Sequence, residues 1–245
     1  MRVTRLFVEA PLQPGTRIAV PDAASTHLLR VLRAGIGDAC VLFNGDGHDY
    51  AARIVAVDKR TAIVDVLSSR RLANESPLRI TLLQALARGE KMDWILQKAT
   101  ELGVTSVVPV ASERTEVKLD GERSAKRATH WKSVVVSACE QSGRATLPKV
   151  CMPSALGPAL LSLPEGAHHL LLDPQAAQGL GGIELPPGTS LVLAVGPEGG
   201  WSPRDLALLA GAGFSGLRLG PRVLRTETAG IAAIAALQSR LGDLG

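Results

Sequence analysis

Three stretches of the chain, residues 78–86, 169–172 and 191–195, are rich in apolar side chains that do not alternate with polar ones. A strand with one wet face alternates; a strand covered on both faces does not, and such cover is typical of a parallel sheet flanked by helices. The second and third runs stop at Asp173-Pro174 and Gly196-Pro197. Between the runs the apolar period lengthens to that of a helix, as in Met92, Ile95, Ala99 and Leu102, with Gly103 placed to close the helix over 91–102. A strand is predicted over 104–110, a long helix over 122–141 and a short one over 156–163. Strand and helix in alternation predict an α/β domain with a mainly parallel sheet. In such sheets ligands bind beyond the carboxyl ends of the strands, here at 173–174 and 196–197.

Upstream of residue 72 the rhythm is different. Short β-type runs at 17–20, 39–43, 52–57 and 62–67 are separated by turn signals at 44–47 and 58–60. A single helix is predicted over 23–32, followed by Gly35 and Gly37. Short strands at this spacing suggest a small barrel, and the polar segment 68–77, ending in Pro77, reads as a linker. The predicted division is therefore 1–72 and 73–245, which suits the two modest domains that 245 residues allow.

Composition narrows the function. With 46% hydrophobic residues and a net charge of +4 the chain is not disordered. No run approaches the roughly 20 apolar residues of a membrane span, and Met1-Arg2-Val3-Thr4-Arg5 opens no signal peptide. Cys40, Cys139 and Cys151 make no C-x-x-C pair, and none has the basic neighbours that activate a thiol. His27, His48, His130, His168 and His169 show no zinc spacing; His27 reads as a structural residue beside its helix. A cytoplasmic protein without a metal is expected. The pI near 9.2 points to nucleic acid, but 3% aromatic content argues against a platform that stacks successive bases. Arg2, Arg5, Arg17, Arg30, Arg33, Arg53, Lys59, Arg60, Arg70 and Arg71 concentrate positive charge in the first third. Trp94 reads as core, and Trp201 either borders a site or packs on its own helix.

Two segments carry the chemistry. In Gly196-Pro197-Glu198-Gly199-Gly200-Trp201-Ser202-Pro203-Arg204-Asp205 a buried strand turns through glycines into a helix that Ser202 caps, with Pro203 in its first turn and Asp205 completing a capping box. The loop is neither a P-loop nor a dinucleotide fingerprint. In Leu219-Gly220-Pro221-Arg222-Val223-Leu224-Arg225-Thr226-Glu227-Thr228-Ala229 a strand ends, a turn follows, and Thr226 is placed to cap a terminal helix rich in Ala and containing Gly230. Small residues there suit a crowded core or a subunit interface. Arg225 and Glu227 at the head of so apolar a helix need explaining; an exposed charge pair is the plain alternative.

These two blocks resemble the cofactor-site motifs of the ribosomal small subunit RNA uridine-N3 methyltransferases, of the SPOUT (trefoil-knot) superfamily. The likeness continues through His27-Leu28-Leu29-Arg30-Val31-Leu32-Arg33, residues 91–104, Ser112-Glu113-Arg114 and Glu140-Gln141-Ser142-Gly143-Arg144, and is thinnest over 151–190, where Leu171-Leu172-Asp173-Pro174 stands out. The resemblance implies a PUA-like β-barrel that grips RNA, followed by a trefoil-knotted α/β domain. It also implies S-adenosylmethionine as cofactor, a homodimer, and 16S ribosomal RNA of the small subunit as substrate. Leu172, Gly196, Pro197, Gly199, Gly200, Leu219, Gly220, Val223, Leu224 and Thr228 would hold the cofactor. Methylation at uridine N3 displaces a weakly acidic proton while charge spreads onto O2 and O4, so a fixed cation and a base are wanted. Arg225 is the expected cation, since arginine stays protonated; Glu227 or Glu198 is the base, and Glu198 alternatively shapes its loop. Arg5, Arg30, Arg33 and Arg144 are the expected phosphate contacts. An enzyme of the same fold acting on a ribose 2′-oxygen or another base, and a non-catalytic RNA-binding assembly factor, are the rival readings.

Overall fold

A computed structural model describes residues 3–115, 121–186 and 188–245; Arg2 of the basic set lies outside them. The chain divides into two compact units. The first runs to Glu75 and also takes in Cys139–Leu147. Its strands are β1 (Thr4–Phe7), β2 (Arg17–Ala19), β3 (Ala39–Phe43), β4 (His48–Asp58) and β5 (Thr61–Arg71), with the short helix α1 (Asp22–Thr26) continuing into a π turn over His27–Val31. They form one sheet in the order β1-β3-β4-β5-β2, in which only β1 and β3 run parallel. Register shifts in the β4–β5 hairpin mark bulges, which bend and twist so long a ribbon. Alternate residues such as Leu42, Ile54, Val64 and Val66 close the core with Leu6 and Leu28.

β5 runs on through Ser68, Ser69, Arg70 and Arg71, paired to β4, so the predicted linker is strand for its first four residues. Their polarity misleads because this end of the ribbon is exposed and needs no apolar side chains. Cys139–Leu147 joins the same unit through its polar groups. The Glu140 carboxylate accepts from the Phe7 N–H at 3.0 Å, Arg5 donates to the Arg144 carbonyl at 3.1 Å, and Gly47 N–H donates to the Ala145 carbonyl at 3.2 Å.

The second unit follows the predicted alternation: β6 (Arg79–Ala85), α2 (Lys91–Glu101), β7 (Ser106–Ala111), α3 (Gly121–Ser142, whose last residues belong to the first unit), β8 (Lys149–Val150), β9 (Ser154–Ala155), α4 (Leu156–Leu160), β10 (His168–Leu172), β11 (Ser190–Val195), α5 (Pro203–Gly211), β12 (Ser215–Leu217) and α6 (Thr226–Leu241). The sheet order is β12-β10-β11-β6-β7-β8, with β9 also on β7, and every pairing described is parallel. Leu82 and Leu83 on β6, or Leu193 and Ala194 on β11, point to opposite faces, and all four are fully buried. That two-sided cover is why these strands do not alternate. Gly103, at φ +85°, closes α2 as expected. Gly230 of α6 faces the sheet, where a Cβ would make ordinary contact at 3.4 Å from Val195 Cγ2 and 3.6 Å from Gln84 Oε1. Trp94 is not core; it lies on α2 with half its surface exposed.

Candidate active site

The carboxyl ends of three neighbouring parallel strands, β12, β10 and β11, open into a cavity of about 710 Å³. Leu171–Gln175 form one wall and Val195–Trp201 a second. The segment after β12, through Leu219, Gly220, Val223 and Leu224 to Arg225 and Thr226, forms the third. Local chemistry shapes the second wall. Gly200 turns the chain at φ +68°, its N–H bonded to the Pro197 carbonyl at 2.9 Å. Trp201 folds back so closely that a Cβ on Gly196 would lie 3.1 Å from its indole nitrogen. A side chain there would push the indole back by a few tenths of an ångström. Ser202 then caps α5 in a complete capping box with Asp205, and the Asp205 carboxylate also accepts from the Glu113 N–H at 3.2 Å. Arg114 donates to the Gly199 carbonyl at 2.9 Å. The Ser112-Glu113-Arg114 block thus holds the glycine loop from outside.

The charges divide unequally. Arg225, the residue that precedes α6, is exposed on the cavity wall, and among the described residues no carboxylate pairs with it. Glu198 is also on the wall, 2.9 Å from Lys91 Nζ on the first turn of α2. Partial burial works to raise the Glu198 carboxyl, but the hydrogen bond and charge of Lys91, with backbone N–H groups, outweigh it and hold the group below its ordinary value. In return the hydrogen bond that Lys91 donates to Glu198 raises the lysine's own pKa. Glu227 lies outside the lining. It is buried on α6, with one carboxylate oxygen 3.8 Å from Lys91 Nζ and no hydrogen-bond partner on that oxygen.

The cavity brings together Leu172, Gly196, Pro197, Gly199, Gly200, Leu219, Gly220, Val223 and Leu224 with Arg225 and Glu198. Thr228 is not in the lining: it is exposed on the first turn of α6, its N–H bonded to the Arg225 carbonyl. Thr226 does not cap α6; Arg225 holds the cap position, and the threonine hydroxyl turns to the Gly196 carbonyl at 2.6 Å. Trp201 both borders the cavity and packs under its loop. Arg5 and Arg144 have work other than phosphate binding. Arg5 is buried against Asp49 and the Phe43 ring, and Arg144 is buried against Glu75, so their charge is spent inside the first unit. Arg30 and Arg33 are exposed about the π turn. Burial pushes the Cys40 and Cys139 thiols up to about 11, which keeps them protonated. Nothing local in the sequence marks a role for Lys91, Arg114 or Gln84. The first two sit in blocks that carry the resemblance, but partners 107 and 85 positions away leave no local signal.

Residues 74–238 match the family model of an RNA methyltransferase domain and residues 20–67 that of an RNA methyltransferase PUA domain. The chain is 33% identical over 244 residues to ribosomal RNA small subunit methyltransferase E of Buchnera aphidicola, covering 99% of this chain and 98% of that one. This chain belongs to the ribosomal RNA small subunit methyltransferase E family. Solved structures agree with that membership. The methyltransferase E of Neisseria gonorrhoeae, crystallised with S-adenosylmethionine, is 42% identical with a TM-score of 0.93 over the whole of both chains. A Legionella pneumophila methyltransferase, also with bound S-adenosylmethionine, is 38% identical with a TM-score of 0.94 over the same span. For a family member, a cavity walled by main chain at the carboxyl ends of parallel strands, with an open guanidinium and an ionised carboxylate on its rim, is suited to group transfer onto a nucleophile that must lose a proton.

Proposed function

We propose that this protein methylates N3 of a uridine in 16S ribosomal RNA of the small subunit, using S-adenosylmethionine. The observation that carries the reading is one cavity in which glycine-loop backbone, apolar side chains and the exposed Arg225 meet. The residues present fit the cofactor. The volume falls within the roughly 300–1,000 Å³ of small-molecule sites, and Gly196 lets the loop lie close under Trp201. Leu171, Leu172, Leu217 and Leu224 supply apolar contact, and backbone at Gly196–Gly200 and Leu219–Gly220 supplies polar groups. When bound, S-adenosylmethionine supplies an electrophilic methyl group and departs as a neutral thioether.

The chain supplies the rest. Arg225 faces the uracil oxygens on which negative charge develops as N3 loses its proton, and being permanently charged it needs no reorganisation to stabilise them. Glu198 is the better placed of the two carboxylates to accept that proton, because it lines the cavity and Lys91 keeps it ionised. Glu227 acts from behind as the second partner of Lys91. Arg30 and Arg33 contact RNA phosphates from the PUA-like unit. The trefoil-knotted path is part of this reading; in its support, β12 lies on the sheet edge beside β10 while α6 returns to mid-sheet against Val195 and Gln84. A homodimer acting in the cytoplasm completes it; among the described residues no helix is long and apolar enough to cross a membrane.

The test is to incubate the protein with labelled S-adenosylmethionine and small ribosomal subunits that lack the modification. Label recovered as N3-methyluridine is expected. Label on a ribose oxygen or another base would overturn the assignment of the acceptor, and no label would overturn the enzyme.

A further inference from the structure

Gln84, the penultimate residue of β6, is fully buried among strands whose other side chains are almost all apolar. A buried amide group in such a place destabilises the fold wherever it goes unbonded. The Gln84 oxygen has no hydrogen-bond partner among the described residues, but the nitrogen makes two bonds whose direction the acceptors fix. The Ala85 carbonyl, 2.9 Å away, can only accept, so the amide nitrogen faces it. The same nitrogen lies 3.1 Å from Thr226 Oγ1 and can only donate to it. The Thr226 hydroxyl therefore keeps its own proton for the Gly196 carbonyl, at 2.6 Å. The relay runs Gln84 N–H to Thr226 O–H to Gly196 C=O. It joins the middle of the sheet, the head of α6 and the start of the glycine loop.

We infer that Gln84 and Thr226 are positioning residues for methyl transfer, which lock the loop that receives S-adenosylmethionine to the helix start that carries Arg225. Arg225 immediately precedes Thr226, so a bond that fixes Thr226 against Gly196 also anchors the backbone from which the guanidinium projects. Lys91 also spans these parts, reaching Glu198 and Glu227, but it is more than a third exposed and open to solvent screening. The relay is buried at Gln84 and Thr226 and part-buried at Gly196, and removal of its hydroxyl takes the donor from the Gly196 carbonyl and one acceptor from the buried Gln84 amide.

This inference rests on the proposed binding of S-adenosylmethionine, and the experiment separates the two. Equilibrium dissociation constants are measured for wild type, Thr226→Val, Thr226→Ser and Gln84→Met, each checked for folding by circular dichroism. Wild type that binds no S-adenosylmethionine refutes the proposed function itself. Given wild-type binding, Thr226→Val, which keeps shape and removes the hydroxyl, should weaken it on the order of tenfold. Thr226→Ser, which keeps the hydroxyl, should stay within about threefold. Gln84→Met should weaken binding less than Thr226→Val, and the two together should cost less than the product of the separate losses, because they break one chain. Folded Thr226→Val that binds within about threefold of wild type overturns the inference. So does loss in Thr226→Ser equal to that in Thr226→Val, since that would make the methyl packing and not the hydroxyl decisive.

Discussion

Arg144 and Arg225 both stand in segments that resemble the same family, and the fold uses them in opposite ways. Arg144 is buried, bound to Glu75 through two nitrogens, and its backbone carbonyl receives Arg5. Its charge is neutralised where it sits. Arg225 is exposed on a cavity wall with no carboxylate on it among the described residues, while Glu198 and Glu227 are both turned to Lys91. The acidic groups beside Arg225 are thus occupied by a different cation, and its guanidinium stays available. A charge with its counter-charge supplied is structural; a charge whose counter-charges have been diverted waits for one from outside.

The comparison breaks most sharply at Arg225. Arg225→Ala should lower turnover by about 10²–10³, the usual cost of one electrostatic donor at a developing oxyanion. Its S-adenosylmethionine affinity and thermal stability should stay near wild type. A loss that tracks unfolding would make Arg225 a second Arg144. The converse substitution, Arg144→Ala, should cost about 2–3 kcal/mol in urea denaturation, below the 3–5 typical of a fully buried pair because Glu75 keeps some solvent contact. Stability within a few tenths of wild type would show that the pair is not structural.

Smaller effects sharpen the contrast inside the cavity. Gly196→Ala forces a Cβ against the Trp201 ring, so affinity for S-adenosylmethionine should fall several-fold in titration. Gly199 is a poorer choice for that test, since a Cβ there meets Arg114 only at an ordinary 3.7 Å. The smallest effect belongs to Lys91→Met. Because Lys91 holds the Glu198 carboxyl below its ordinary value, its removal should move that titration to higher pH. The acid limb of the pH–rate profile should follow, with activity lost earlier as pH falls. An unmoved acid limb would take the role of base away from Glu198.

The parts of this molecule legible in the sequence are those written in local pattern. The unalternating runs of β6 and β11 declare two-sided burial, and the Ser202 capping box fixes the start of α5. The strand ends at Asp173 and Gly196 mark the cavity mouth. What pairing over long distance decides is not legible. Arg5 finds Asp49 and Arg144 finds Glu75 across 44 and 69 positions, so an arginine in a basic stretch reads as a phosphate contact until its partner is known. Trp94 keeps helical spacing with apolar neighbours yet faces outward. Thr226 has the residue type and place of a cap, but a carbonyl 30 positions away takes its hydroxyl. Resemblance marks which residues matter, and only the fold says whether each is spent or held open.

Equilibrium dialysis of the purified protein against labelled S-adenosylmethionine decides whether the cavity at the ends of β10, β11 and β12 takes the cofactor. Saturable uptake of one molecule per chain, weakened in Gly196→Ala and unaltered in Arg225→Ala, is the expected result. Folded wild type that retains no label at any cofactor concentration would contradict it.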